Sequence, residues 1–511
     1  MIGAAAVYGI CVAMMEWMNV FTFSLLIWFF IPFLLASRVF TTPEFLERRF
    51  SPTLRQLFAV VTVISNVVAF LAAVLYGGGL AVQQLFGWNL WVSILILGLV
   101  AGGWAIYGGL SSVAWSDLFM VVVMVLGGST VTYLGLHALA DGGSLADGLH
   151  TMLERNQAQS GVWAEAVAFH VEKLAGTDHY NRLSCFQPAS HPIVPWTSLA
   201  FSIFSISIWY NVLNQFMIQR VLGAKDSYHA RMGIVFAGFM KVFLPAIVVV
   251  PGLVLFALHP EILLQPWSDV RPEADRGYIL LLQSLVPAGL RGLFLAALFG
   301  AIQSTVNAVL NSTATVLTLD IYRRWVRPQA KDRHLVRVGI ITSAVVLVVA
   351  IVLAGFIGKL GGGLFIYIQS LYAFFAPPFA AVFLLGILWR RANRQGALAA
   401  VVCGFAFGIA LKLAVQHIAA HPLWLEPYAN QAAVNWLFCM VLCITVSLAT
   451  PPPAPEQISD ELTIRWRKLN LFEQLGNHWY TSVVTWWLLF VLMIMVLFIV
   501  FSGLMFATGS P

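Results

Sequence analysis

The sequence predicts an all-α polytopic membrane protein with about twelve spanning helices, and three observations carry that prediction. Of the 511 residues, 60% are hydrophobic and 10% charged, more apolar surface than one globular core buries and a composition that suits a bilayer. The apolar residues fall in runs long enough to cross hydrocarbon, which takes about 20 residues per helix. The charged residues fall between those runs. The formal net charge of +6 therefore sits in short loops and marks no basic domain, which excludes a nucleic-acid surface. The five cysteines form no pattern: Cys11, Cys403, Cys439 and Cys443 lie in apolar segments and Cys185 is alone in a polar loop. Neither a disulfide framework nor a zinc site follows.

In chain order the runs are roughly 8–34, 56–84, 88–109, 115–139, 196–218, 232–258, 288–318, 335–357, 364–389, 395–418, 432–450 and 482–505. Alternate loops carry most of the Lys and Arg: Arg38, Arg48, Arg49 and Arg55; Arg220, Lys225 and Arg231; Arg323, Arg324, Arg327, Lys331, Arg333 and Arg337; Arg390, Arg391 and Arg394; and Arg465, Arg467 and Lys468. The other set holds only Arg155, Lys173, Arg182, Arg271, Arg276, Arg291 and Lys359. The richer set is expected to be cytoplasmic, so both chain ends face outward. Met1 opens directly into apolar sequence, with no cationic region or cleavage site, so no signal peptide is expected.

The loop at 140–195 reads as extracellular, and its His170, His179 and His191 are too irregularly spaced for a metal site. The acidic, partly amphipathic stretch 259–287 suits a short external helix. Segment 451–478 reads as a cytoplasmic connector, its prolines breaking any helix before the last span. No glycine-rich phosphate loop, nucleophile elbow, HEXXH or CXXC is present, so nothing argues for enzyme chemistry.

Polar groups inside the runs carry the functional signal, because ionisable residues there are costly and face cavities. In the run after Gly289, Ala301, Ser304 and Thr305 stand at i, i+3 and i+4 on one helix face. Two hydroxyls and a backbone carbonyl offer neutral oxygens to a small hard cation. The competing reading is hydroxyls bonding back to their own helix. Glu16 and Lys241 lie well inside separate runs and would most cheaply pair or meet a polar solute. Gln369, just upstream of a break expected at Pro377–Pro378, adds an amide that suits a hydroxylated ring. Tyr210 offers an aromatic face, with Phe365 nearby in type; ordinary packing competes for both. Asp117, at the start of its run, competes with a helix N-cap. Lys412 is near enough to an end to snorkel.

The stretches EWMN, TTPEFLERRF, YGGLSSVAWSD, NQFMIQRVLGAK, GIVFAGFMKVFLPAIVVVPG, NSTATVLTLDIYRR and YIQSLYAFFAPPFAAVFLLGILWRR run along almost the whole chain. In them the sequence resembles the solute:sodium symporter family, nearest its sodium/glucose and sodium/galactose cotransporters. The resemblance implies an inverted-repeat (LeuT-like) fold enclosing a midplane site. It implies sodium ligands at Ala301, Ser304 and Thr305, with Asp117 linked to the cation. It implies solute contacts at Glu16, Lys241 and Gln369, with Tyr210 beneath the solute and Phe365 as an outer lid. Ser207 stands where such carriers have asparagine, Asn19 where one has serine, and Asn211 replaces a common tryptophan. Between Ser207 and Asn19 an amide has moved from one wall to another, which points to a different sugar, a polyol or another polar solute, and Asn211 in place of tryptophan implies a larger or wetter inner vestibule.

Met1 aligns just past the broken helix that supplies further sodium ligands in the family, so the first repeat is expected to be incomplete. The expected organisation is 1–139 first repeat, 140–195 extracellular loop, 196–390 second repeat, 391–450 additional helices, 451–478 connector and 479–511 last helix. The expected function is sodium-driven import of a sugar or polyol across the plasma (inner) membrane, with Na+ as coupling ion and no other cofactor. A non-transporting solute sensor of the same fold, or a sodium symporter for another polar solute, is the alternative.

Overall fold

The computed structural model describes residues 1–37, 41–174, 180–357, 364–418, 421–464 and 472–503, without the side chains of 36, 108–114, 116 and 288. Arg38, His179, Lys359, Arg465, Arg467 and Lys468 lie outside the described residues. Among those described, eleven helices are long and apolar enough to cross a membrane. In chain order the helices are α1 (Ile2–Leu35), α2 (Pro52–Phe86), α3 (Leu90–Tyr107), α4 (Asp117–Leu139), the short α5 (Thr197–Leu213) and α6 (Gln215–Leu222). There follow α7 (Ser227–Leu258), α8 (Gly289–Trp325), α9 (Asp332–Ile357), α10 (Leu364–Leu388), α11 (Arg394–His417), α12 (Tyr428–Ala449) and α13 (Val483–Val500).

Local chemistry starts several of them. Ser51 accepts the Leu54 amide at 3.3 Å with Pro52 as first helical residue of α2, the preferred cap and first position. Asp226 accepts the His229 amide at 2.9 Å at the head of α7, and Asn393 the Gly396 amide at 2.9 Å at the head of α11.

Three expectations need correction. The run 196–218 is not one span: α5 contains two wide, π-type segments and the chain is extended at Asn214 (φ −68°, ψ 121°) before α6. Pro377 and Pro378 do not break α10. Both are buried, and in packed membrane helices neighbours re-satisfy the carbonyls that proline frees. Finally, the backbone is helical without interruption from Leu90 to Leu139, so Asp117 is inside a helix and is not an N-cap.

That fifty-residue run is not straight. Gln303 Nε2 of α8 donates to the Ala101 carbonyl at 3.4 Å, while a Cβ on Gly300, one turn earlier, would lie 2.4 Å from Met120 Sδ. A straight helix would set Ala101 and Met120 about 28 Å apart, so the run bends between them.

Helix α10 is the interior element: 83% of its apolar window is buried, against 17% for α11 and 22% for α13, which rim the molecule. Helix α1 is itself interrupted. Gly9 adopts φ 78°, and a Cβ there would lie 2.2 Å from the Arg182 carbonyl oxygen, so only glycine fits. That carbonyl accepts the Ile10 amide at 2.8 Å, and the Arg182 guanidinium donates to the Ala6 and Val7 carbonyls at 2.7 Å each. The loop expected at 140–195 thereby caps the first segment of α1. It also carries helices Leu145–Asn156 and Gly161–Ala168. The stretch 259–287 forms helices Trp267–Asp275 and Gly277–Leu285, as its amphipathic pattern suggests.

Candidate solute and cation site

Breaks and wide turns in α1 and α5, set against α7, α8 and α10, leave a cavity of about 430 Å³. Its wall brings together Glu16 and Asn19 from α1, Ser207 and Tyr210 from α5, Lys241 from α7, Ser304 and Thr305 from α8, and Phe365 and Gln369 from α10. Nine of the eleven residues singled out in the sequence thus share one space.

Lys241 Nζ donates to Glu16 Oε2, an ion pair between α7 and α1. The side chains keep 21% and 12% exposure, directed at the cavity they line. Pairing is what makes two charges tolerable at this depth, and their free donor and acceptor positions remain for a solute. Gln369 Nε2 reaches Met15 Sδ at 3.2 Å, a weak acceptor that leaves most of the amide's capacity free. Tyr210 packs against Phe70 (ring centroids 6.3 Å), Phe216 and Tyr372 (5.9 Å each), a rigid aromatic floor. Asn19 is more constrained than its sequence position suggests. Its Nδ2 donates to the Met15 and Glu16 carbonyls at 2.9 and 3.2 Å, and its Oδ1 accepts from Asn211 Nδ2 at 2.8 Å.

On α8 the Thr305 hydroxyl donates to the Ala301 carbonyl at 3.1 Å, the back-bond that competed with ion ligation. It consumes one lone pair of Ala301 and the Thr305 proton, and leaves oxygen lone pairs on both. Ser304 stands beside the Asp117 carboxylate, whose Oδ2 accepts from Arg220 Nη2 at 2.5 Å. Ala301 and Asp117 do not line the main cavity; they stand behind Thr305 and Ser304. Three neutral oxygens with a carboxylate next to them fit part of a shell for a small hard cation, which takes about six.

Arg220, Met15, Tyr428 and Ser202 also line the cavity, and nothing in the sequence marks them as site residues. Arg220 reads in the sequence as a loop charge. Extended backbone at Asn214 turns α6 back under the site, and no Pro or Gly marks that break.

A cavity between interrupted helices, with a cation-suited face on one wall, is the arrangement of a secondary transporter of the inverted-repeat class. The model of the sodium:solute symporter family matches residues 1–404. The chain is 34% identical over 460 residues to the sodium/glucose cotransporter of Vibrio parahaemolyticus, covering 88% of this chain and 79% of that one. It is 31% identical over 493 residues to the sodium/myo-inositol cotransporter of Homo sapiens (92% and 67%), and 31% over 471 residues to a sodium/mannose cotransporter of Bos taurus (88% and 76%). A solved structure of a Na+-coupled sialic acid symporter, substrate-bound and outward-open, superposes with TM-score 0.69 at 19% identity, covering 88% and 86% of the two chains. This chain belongs to the sodium:solute symporter family.

Proposed function

We propose that the chain couples entry of sodium to uptake of a sugar or polyol across the plasma membrane. The observation that carries this reading is the shared cavity: Glu16, Lys241, Ser207 and Gln369 present acceptors and donors around an aromatic floor, one helix face away from Ser304 and Thr305. At about 430 Å³ the space holds roughly a dozen waters or one hydroxylated ring with a few of them. Glu16, Lys241 and Gln369 hold the solute hydroxyls, Tyr210 supports the apolar face of the ring, and Phe365 covers it from the far side. The cation takes the Ala301, Ser304 and Thr305 oxygens, and Asp117 supplies the balancing charge, shared with Arg220. Relatives named for glucose, mannose and myo-inositol support the class of solute.

Cation binding ties α8 to its neighbours and thereby orders the cavity wall that Ser304 and Thr305 share, so each ligand favours the state that binds the other. The test is flux in proteoliposomes. An inward sodium gradient is expected to drive accumulation of D-glucose or myo-inositol, and Ser304→Ala with Thr305→Ala is expected to raise the sodium needed for half-maximal uptake about tenfold, a loss of about 1.4 kcal/mol. Accumulation that ignores sodium would contradict the coupling, and solute binding without accumulation would favour a sensor.

A further inference from the structure

Asn19 and Asn211 form a chain of amides whose orientation is fixed at both ends. Asn19 Nδ2 faces two carbonyls of its own helix, Met15 at 2.9 Å and Glu16 at 3.2 Å, so its Oδ1 must point away from them. That oxygen accepts from Asn211 Nδ2 at 2.8 Å, and the other Nδ2 proton of Asn211 goes to the Ser207 carbonyl at 3.1 Å. Flipping either amide would set oxygen against oxygen. The donors of both side chains are therefore spent.

One group is left over. Asn211 lines the cavity and is 2% exposed, and its Oδ1 has no hydrogen-bond donor among the described residues. An orphaned buried acceptor is costly until something donates to it. Beside it stand the Glu16 carboxylate on α1 and Ser207 on α5. The carbonyl and carboxylate here can only accept, the Ser207 hydroxyl can do either, and the cationic and amide donors, Lys241 and Gln369, come from α7 and α10.

We infer that Asn211 is a specificity-determining residue of this carrier, its side-chain carbonyl accepting one hydroxyl proton of the bound solute while Asn19 holds it in place. The inference rests on the proposed sugar or polyol reading and narrows it. The wall selects a hydroxyl at one ring position. It rejects groups that accept without donating, such as a ring oxygen, a carboxylate or a fluorine.

The experiment pairs protein variants with ligand variants. Binding of D-glucose, myo-inositol and their monodeoxy and deoxyfluoro analogues is measured on the whole chain in sodium-containing nanodiscs, for the wild type, Asn211→Leu and Asn19→Ser. One position is expected at which deoxygenation or fluorination weakens wild-type binding roughly tenfold. Asn211→Leu weakens the parent by a similar factor and binds that analogue as well as it binds the parent. Asn19→Ser shows the same selective pattern at smaller amplitude. If Asn211→Leu weakens parent and all analogues alike, Asn211 is only structural and the inference falls while the transport reading stands. If the wild type binds neither parent in sodium, both fall together.

Discussion

At the scale of single residues, the Glu16–Lys241 pair shows how burial and chemistry decide together. Two charges this far inside a membrane protein are costly alone and affordable as a pair. Removing one partner strands the other. Lys241→Met is therefore expected to lower stability by about 3 kcal/mol, and the double variant Glu16→Gln, Lys241→Met to recover most of it, read as thermal midpoints in detergent. Equal losses in the single and double variants would mean that the pair does not stabilise the fold. The same reasoning explains what the sequence disclosed. Glu16, Lys241 and Gln369 stand out because an apolar run gives them no other reason to exist. Met15 and Tyr428 carry no such signal, being ordinary membrane-helix residues, and Asn19 looked like a solute ligand although its hydrogen bonds go to its own helix and to Asn211.

At the scale of elements, helix identity was legible and helix interruption was not. Length and hydropathy place α9, α10 and α11 within a few residues, because a bilayer demands such runs, while α8 runs on seven residues past its expected end through a π-type segment. The break at Gly9 depends on a partner distant in sequence, Arg182, and no Pro or Gly announces the break at Asn214 or the π-type turns of α5. The loop that supplies Arg182 also holds α1 through a buried relay. His191 Nδ1 accepts the Val194 amide at 3.0 Å, so Nε2 carries the proton; it meets Tyr180 Oη at 3.0 Å, which donates to the Tyr8 carbonyl at 2.6 Å. Burial holds the His191 imidazole down at about 3. The folded chain therefore resists a proton that the unfolded chain takes up below its ordinary value near 6.5. This contribution is complete above that value and is lost as pH falls toward 3, by up to about 1.4 kcal/mol per unit. Thermal midpoints are expected to drop between pH 6.5 and 5 in the wild type and to drop less in His191→Gln. Parallel profiles would remove His191 as the cause.

At the scale of the whole molecule, function requires that the cavity open to one side at a time, and ion pairs on the basic face tie the start of α2 to the end of α8. Arg55, at the start of α2, pairs with Asp320 of α8 and, at 2.5 Å, with Glu47, which also pairs with Arg324. Thr41 adds a hydrogen bond to Asp320 at 3.4 Å. These contacts join 41–55 to 320–324, and we propose that they form a gate that must part for release on that face. Asp320→Asn is expected to shift the population toward a state open on that face. A cysteine at Ala308, with the native cysteines replaced, should then react at least threefold faster with an impermeant thiol reagent applied there; an unchanged rate would mean the pairs are not a gate. The cation face of α8 and the solute cavity are expected to act as one thermodynamic unit. Reciprocity tests it most directly. Sodium affinity is measured with and without saturating solute, and solute affinity with and without saturating sodium, on the same purified chain. One common factor is expected, well above unity and lost in Ser304→Ala with Thr305→Ala; affinities that ignore each other would contradict the coupling.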